Sequence, residues 1–407
     1  MTALRSAPSW AVVARDQYLV AMGVFVLNIA IGILNGADAV EFDHNQLLTH
    51  VHAGTIGWLT LTILASAYLL FRAADRRLMI ALSILVPLYV IAFYTGSFQL
   101  RALGGTALLI AIAWALIWVW RQFLAGERTL PRLAVVLGLT SFGYGAIIGV
   151  LLQIEAASGS RILSGDGIGA HASAMTFGYL VLTSFGLIEW RLLGTRDLPR
   201  AGLVQVLALF LGGLIISVGL LAGAEQAAGG IYLLTQLVAV VVFIARVWPR
   251  ALRVGWASAD PIRHVGAASV WVVAALLLFM YLVATFITAA DPNDPDALPL
   301  NILIASDHAV YIGVITNLAL SLLSLVALSR AEQSSWIGHL MFWGVNLGLL
   351  VFVIGLIVDT AEIKRIGAPV MGVVLLISLA LLALRAWSAD LSGADETLRA
   401  PGGDAAT

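Results

Sequence analysis

The chain has no cysteine. That excludes disulfides, iron–sulfur clusters, thiolate metal sites and cysteine nucleophiles. Charge is scarce as well: Asp, Glu, Lys and Arg make up 11% of the residues, against roughly 25% in a soluble domain. So little charge excludes an ordinary soluble enzyme, a disordered protein and a nucleic-acid binder. There is no Walker A sequence, no Gly-x-Ser-x-Gly and no His-Glu-x-x-His, hence no phosphate loop, nucleophile elbow or zinc-protease helix. Carboxylates are also scarce in the apolar stretches: Glu189, Asp359 and Glu362 lie near the ends, and Asp307 stands beside His308, where it reads either as an acceptor orienting a ligand imidazole or as the end of a loop. A proton pump needs a relay of such groups across the membrane, and none is visible, which disfavours pumping.

Hydrophobic residues fill 61% of the 407 positions, and the mean hydropathy is +0.98. A membrane-spanning helix needs about 20 mainly apolar residues to cross a core of roughly 30 Å. Twelve such stretches are present, near 17–35, 50–71, 78–98, 103–120, 133–154, 169–190, 202–222, 230–247, 265–289, 302–328, 335–358 and 367–386. The sequence therefore predicts an all-α integral membrane protein. A cytoplasmic N-terminus (1–16) would precede one transmembrane domain (17–386), followed by a polar, disordered tail (387–407). With the N-terminus inside, 18 of the 22 Lys and Arg fall on cytoplasmic segments, and only Arg101, Arg161, Lys364 and Arg365 fall outside. The positive-inside rule then puts both termini in the cytoplasm of a bacterial-type inner membrane. The first apolar stretch is too long for a signal-peptide core and is read as a retained span.

Four of the seven histidines lie near the outer ends of three helices: His50 and His52 on helix 2, His171 on helix 6 and His308 on helix 10. Those helices are four apart in order, which suggests three four-helix repeats, near 17–123, 132–248 and 264–386. Helix 2 reads His-Val-His-Ala-Gly-Thr-Ile-Gly from His50 to Gly57. Sliding His50 onto His171 brings Gly57 onto Gly178, and sliding His52 onto His308 brings Gly57 onto Gly313. One interfacial histidine reads as a cap or headgroup contact. Repeated histidines at one depth read as ligands, because an imidazole within a span is costly and binds haem iron, copper or zinc without adding charge. His52 and His308 share a register, which points to one cofactor held between them. His50 and His171 share the other, which points to a second, metal-binding site. Residues two apart on a helix face about 200° apart, so His50 and His52 address different clefts.

Twelve spans in three arcs, with histidines on helices 2, 6 and 10, resemble the heme-copper oxidase large-subunit superfamily of oxygen and nitric-oxide reductases. The resemblance implies a low-spin haem between His52 and His308 and an active-site metal at His171. It also implies an electron-donor protein and a small gas ligand, O2 or NO. The family's adjacent histidine pair on helix 7 has no counterpart between Leu203 and Ala222, and Ser306 stands where its first helix-10 histidine would be. The histidine-rich start of helix 2 also resembles the NnrS-like family of twelve-span haem and copper proteins linked to nitric-oxide stress. A colourless secondary transporter is the reading from another class, since twelve spans with repeats suit one too. It expects paired helix breaks at the midplane, and Pro87 and Pro369 are not equivalent.

Three further histidines read differently. His44 sits in an acidic surface loop with Glu41 and Asp43, His264 at a solvated helix start, and His339 in a packing stripe with Trp336, Trp343 and Asn346. The stretch Asp291–Asp296 reads as a rigid acidic connector, with weak calcium binding as the alternative.

Overall fold

The computed structural model describes residues 7–288, 298–327 and 336–394. The Asp291–Asp296 connector, Arg330 and Arg399 lie outside the described residues. Within them there is no β-strand, and twelve helices are long and apolar enough to cross a membrane. They are α1 Ser9–Gly36, α2 His44–Phe71, α3 Arg76–Tyr94, α4 Phe98–Ala125, α5 Leu130–Ser158, α6 Gly167–Leu192, α7 Arg200–Ala222, α8 Glu225–Ala251, α9 Ile262–Ile287, α10 Leu300–Leu325, α11 Trp336–Ile357 and α12 Ala361–Ser388. The chain is thus a multi-pass membrane protein. Twelve crossings bring both ends to one face, called here the terminal face; the opposite one is the histidine face.

Several helices outrun their apolar stretches, because polar residues at the ends still close hydrogen bonds. α1 starts at Ser9, with Trp10, Ala11, Val13 and Ala14 buried and Arg15 paired with its neighbour Asp16 at 2.7 Å. α2 opens on a capping box in which Asp43 accepts from the Gln46 amide at 2.8 Å and Gln46 accepts from the Asp43 amide at 3.0 Å, using up two of the free amides of the first turn. α12 runs to Ser388, and Leu391 and Ala394 beyond it are buried. The helix and the buried residues after it thus reach past position 387, where the sequence reading begins the tail.

Three helices form the centre. The apolar stretches of α2, α6 and α10 are 89%, 83% and 83% buried, and those of the other nine between 33% and 61%. The three pack on one another pairwise in their halves nearer the terminal face. Each carries an eight-residue π-helical stretch at the same place: Ala53–Thr60, Ala174–Val181 and Ala309–Thr316. Such stretches are rare and concentrate at functional sites. The repeat is legible in three dimensions. A Cβ on Gly57, Gly178 or Gly313 would run into Val24 of α1, Ser141 of α5 or Trp271 of α9, so each central helix presses its glycine on the helix before it.

The same register orders the core. The Trp58 indole donates to Thr316 Oγ1 at 2.8 Å, linking α2 to α10. Tyr179, the counterpart of Trp58 on α6, aims its hydroxyl at Thr60 of α2 but closes no hydrogen bond of ordinary geometry. At the terminal face Glu189 of α6 is pinned by Arg246 of α8, and Gln205 of α7 accepts from the same guanidinium at 3.2 Å.

Candidate functional site

All four repeated histidines stand in the turns just before the π-helical stretches, and all four are half-buried. Their anchoring falls into two kinds. His50 Nδ1 meets the Asn28 carbonyl of α1 at 3.0 Å, and His171 Nδ1 meets the Gly145 carbonyl of α5 at 2.8 Å. His52 and His308 instead bond back along their own helices, Nδ1 to Leu48 O at 2.8 Å and to Ile304 O at 2.9 Å. A carbonyl only accepts, so each Nδ1 carries the proton and each Nε2 keeps its lone pair. That is the tautomer of a metal-ligating imidazole held by a carbonyl behind it. His339 is the contrast: its Nδ1 faces a guanidinium nitrogen of Arg263 at 3.1 Å and must accept.

Two glycines make room for the rings. A Cβ on Gly32 would stand 3.0 Å from His50 Cε1, and one on Gly149 would stand 2.7 Å from His171 Cε1. Gly32 and Gly149 each lie one turn after the carbonyl that anchors the ring, so the cradle repeats as a unit.

The structure joins non-equivalent positions of the repeat. His52 and His171 line one cavity of about 390 Å³ between α2, α3, α4, α5 and α6, within range for their charges to interact. His50 lies within the same kind of range of His308. The sequence reading instead pairs His52 with His308 and His50 with His171. Equivalent positions under a threefold arrangement point to successive clefts, so each cleft receives one position of each kind. His52 packs flat on Phe93 of α3 with ring centres 3.6 Å apart, and His308 packs edge-on against Phe352 of α11 at 5.0 Å.

The third cleft, between α6 and α10, has neither histidine. Ser173 takes the place of His52 and His308, and Ser306 the place of His50 and His171. The α9 counterpart of Gly32 and Gly149 is Phe279. It is 1% exposed, and its ring packs edge-on against Phe177 of α6 at 4.5 Å. A phenyl ring thus fills the space that holds an imidazole in the other two clefts. Tyr311 faces Thr176 and Asp307 here, so the Asp307 carboxylate turns to Tyr311 while the His308 imidazole is anchored on its own helix.

Other residues lie where the sequence does not place them. His264, expected at a solvated end, is 3% exposed. Its Nδ1 lies 2.8 Å from Asn317 Oδ1, within a network that includes Asn346 and Trp271. His44 is exposed at the mouth of the His52–His171 cavity. Trp336 and Trp343 are 70% and 43% exposed, while His339 and Asn346 of the same stripe turn inward, to Arg263 and to Asn317 and Trp271. The glycines at the imidazoles and Arg101 in the cavity wall are the site residues the sequence reading missed. Only Arg101 carries a signal, as one of four cations on the histidine face.

Among the described residues no three His, Asp or Glu side chains come together as a metal site. Each histidine pair therefore offers two protein ligands. A bare zinc ion wants three or four; a haem iron takes four nitrogens from its own ring and needs at most two from the protein. The donors, the glycine-lined imidazoles and the apolar cavity thus suit a haem better than a bare ion. The fold defines the class as an α-helical multi-pass membrane protein with histidine pairs in the clefts around three central helices. No protein-family model matches the chain, and no curated protein matches it.

Proposed function

We propose that this protein is a membrane haem protein of redox function, resembling the large subunit of heme-copper oxidases. One haem would be held by His52 and His171 and a second by His50 and His308. The observation that carries the reading is that all four Nδ1 atoms rest on backbone carbonyls, which presents four unprotonated Nε2 atoms in two clefts. When bound, haem supplies a one-electron redox centre. Held by two neutral imidazoles it would be suited to electron transfer with a donor protein, and O2 or NO is the small ligand such a centre would handle. A copper ion beside either haem would need ligands beyond the pair. The terminal face is taken as cytoplasmic, in a bacterial-type inner membrane.

The first test is colour. Full-length protein purified from haem-replete cells should show a sharp Soret band and, by pyridine haemochrome, two haems per chain. A colourless preparation that takes up no added haemin would sink the reading and favour a transporter.

The cradle gives a second expectation. In Gly149→Ala the new methyl displaces the His171 ring and breaks its bond to Gly145 O. Loss of an imidazole's supporting hydrogen bond typically costs about 10- to 100-fold in affinity. Haem titration should show one weakened site of that size and one unchanged site. Two unchanged sites would remove Gly149 from the design.

A further inference from the structure

The His52–His171 cavity is graded from one end to the other. Its deep end is apolar, with Ile56, Ile112, Phe142 and Met175. His52 stands about 12 Å inward from His44, eight residue steps along α2, and His171 lines the same cavity from α6. The outer rim holds the polar groups: His44, Arg101 and Gln153.

Arg101 is the unusual member. It is 2% exposed, although its cover is shallow so close to the outer end of α4. Its Nη2 donates to Asn45 Oδ1 at 2.7 Å and to the Phe93 carbonyl at 2.8 Å, both neutral acceptors. The guanidinium carbon lies 4.6 Å from the centre of the Phe93 ring and 5.3 Å from that of Phe98. Its Nε is buried without a partner, and so is the Gln153 Oε1 atom at the same rim. Among the described residues no carboxylate pairs with Arg101. The cation also stands in the first turn of α4, where the helix dipole adds positive potential. A buried cation is ordinarily paired, and here its partners are all uncharged.

We infer that the rim of this cavity holds a carboxylate on Arg101, next to an apolar body lodged deeper. The apolar body lies between the imidazoles, and the carboxylate accepts from the free Nε of Arg101 at the rim. This rests on the cavity being the cofactor site proposed above. It adds to that reading the charge, polarity and orientation of the occupant. A carboxylate at this rim has two possible sources: an acidic side chain of the tetrapyrrole itself, or a separate small acid bound beside it.

The test is a binding comparison on full-length protein in detergent, freed of endogenous haem. The probes are ferric protoporphyrin IX, its dimethyl ester and formate, read by absorbance and thermal melting. Charge-assisted hydrogen bonds lost from a buried site correspond to about 10- to 100-fold in affinity. If the tetrapyrrole brings the carboxylate, the wild-type protein should prefer the diacid over the diester by that factor. Arg101→Gln should lose the preference and Arg101→Lys should keep part of it. If a separate acid brings it, diacid and diester should bind alike, and formate should shift the wild-type spectrum or melting but not those of Arg101→Gln. A wild-type protein with no diacid preference and no response to formate overturns the inference without recourse to any variant. Failure of the haem proposal looks different: neither porphyrin binds, while formate still raises the melting temperature of the wild type and not of Arg101→Gln.

Discussion

Alanine at His52 and alanine at His171 are expected to remove the same haem, and alanine at His50 and at His308 the other. Each single variant should purify with one haem per chain in place of two. The double variant His52→Ala/His171→Ala should be no worse than either single, because the second change acts on a site already lost. His52→Ala/His308→Ala should be colourless. This pattern follows from the clefts: His52 and His171 border one cavity, and His50 lies near His308. It is the reverse of what register alone expects, which puts His52 and His308 on a single haem. Haem-to-protein ratios and reduced-minus-oxidised spectra of the four singles and two doubles decide the matter. The cleft assignment fails if His52→Ala and His308→Ala bleach one and the same component while the other stays intact.

That reversal shows where sequence reading stops. The twelve spans were legible because the lipid core imposes length and apolarity on every crossing helix, a rule with little freedom. The repeat was legible because His50, His52, His171 and His308 keep a fixed spacing to Gly57, Gly178 and Gly313. Register states which positions are equivalent, and that is separate from which positions touch. In a ring of three helices, equivalent side chains point round the ring in the same sense. Each therefore meets the other kind of position on its neighbour. Gly32, Gly149 and Phe279 were not legible for a related reason. They lie on the helices before the central ones, and only the packing of α1 on α2, α5 on α6 and α9 on α10 aligns them. His264 was misplaced because a charged neighbour, Arg263, suggests a solvated end. In the fold that guanidinium is itself buried, spent on the carbonyls of Ser258 and Gly338 and on His339.

The third cleft turns this account into an experiment of gain rather than loss. Ser173 and Ser306 occupy the two ligand positions, and Phe279 fills the place where Gly32 or Gly149 gives an imidazole room. Ser306→His alone should therefore drive its ring into Phe279. Overpacking of that kind costs about 1–3 kcal/mol, visible as a lower melting temperature with no new haem. Phe279→Gly alone empties the cleft and should cost about 3–5 kcal/mol, the range for deleting a large buried ring. Together the two changes should compensate, since the imidazole takes over the volume the phenyl gives up, with the Ala275 carbonyl in the place of those of Asn28 and Gly145 to accept from Nδ1. Adding Ser173→His supplies the second ligand from α6. The triple variant should melt above either destabilised single and carry three haems per chain instead of two. If Ser306→His proves as stable as wild type, Phe279 is not the counterpart of Gly32 and Gly149. If the triple variant recovers stability but binds no third haem, the packing half of the argument survives and the ligand half does not.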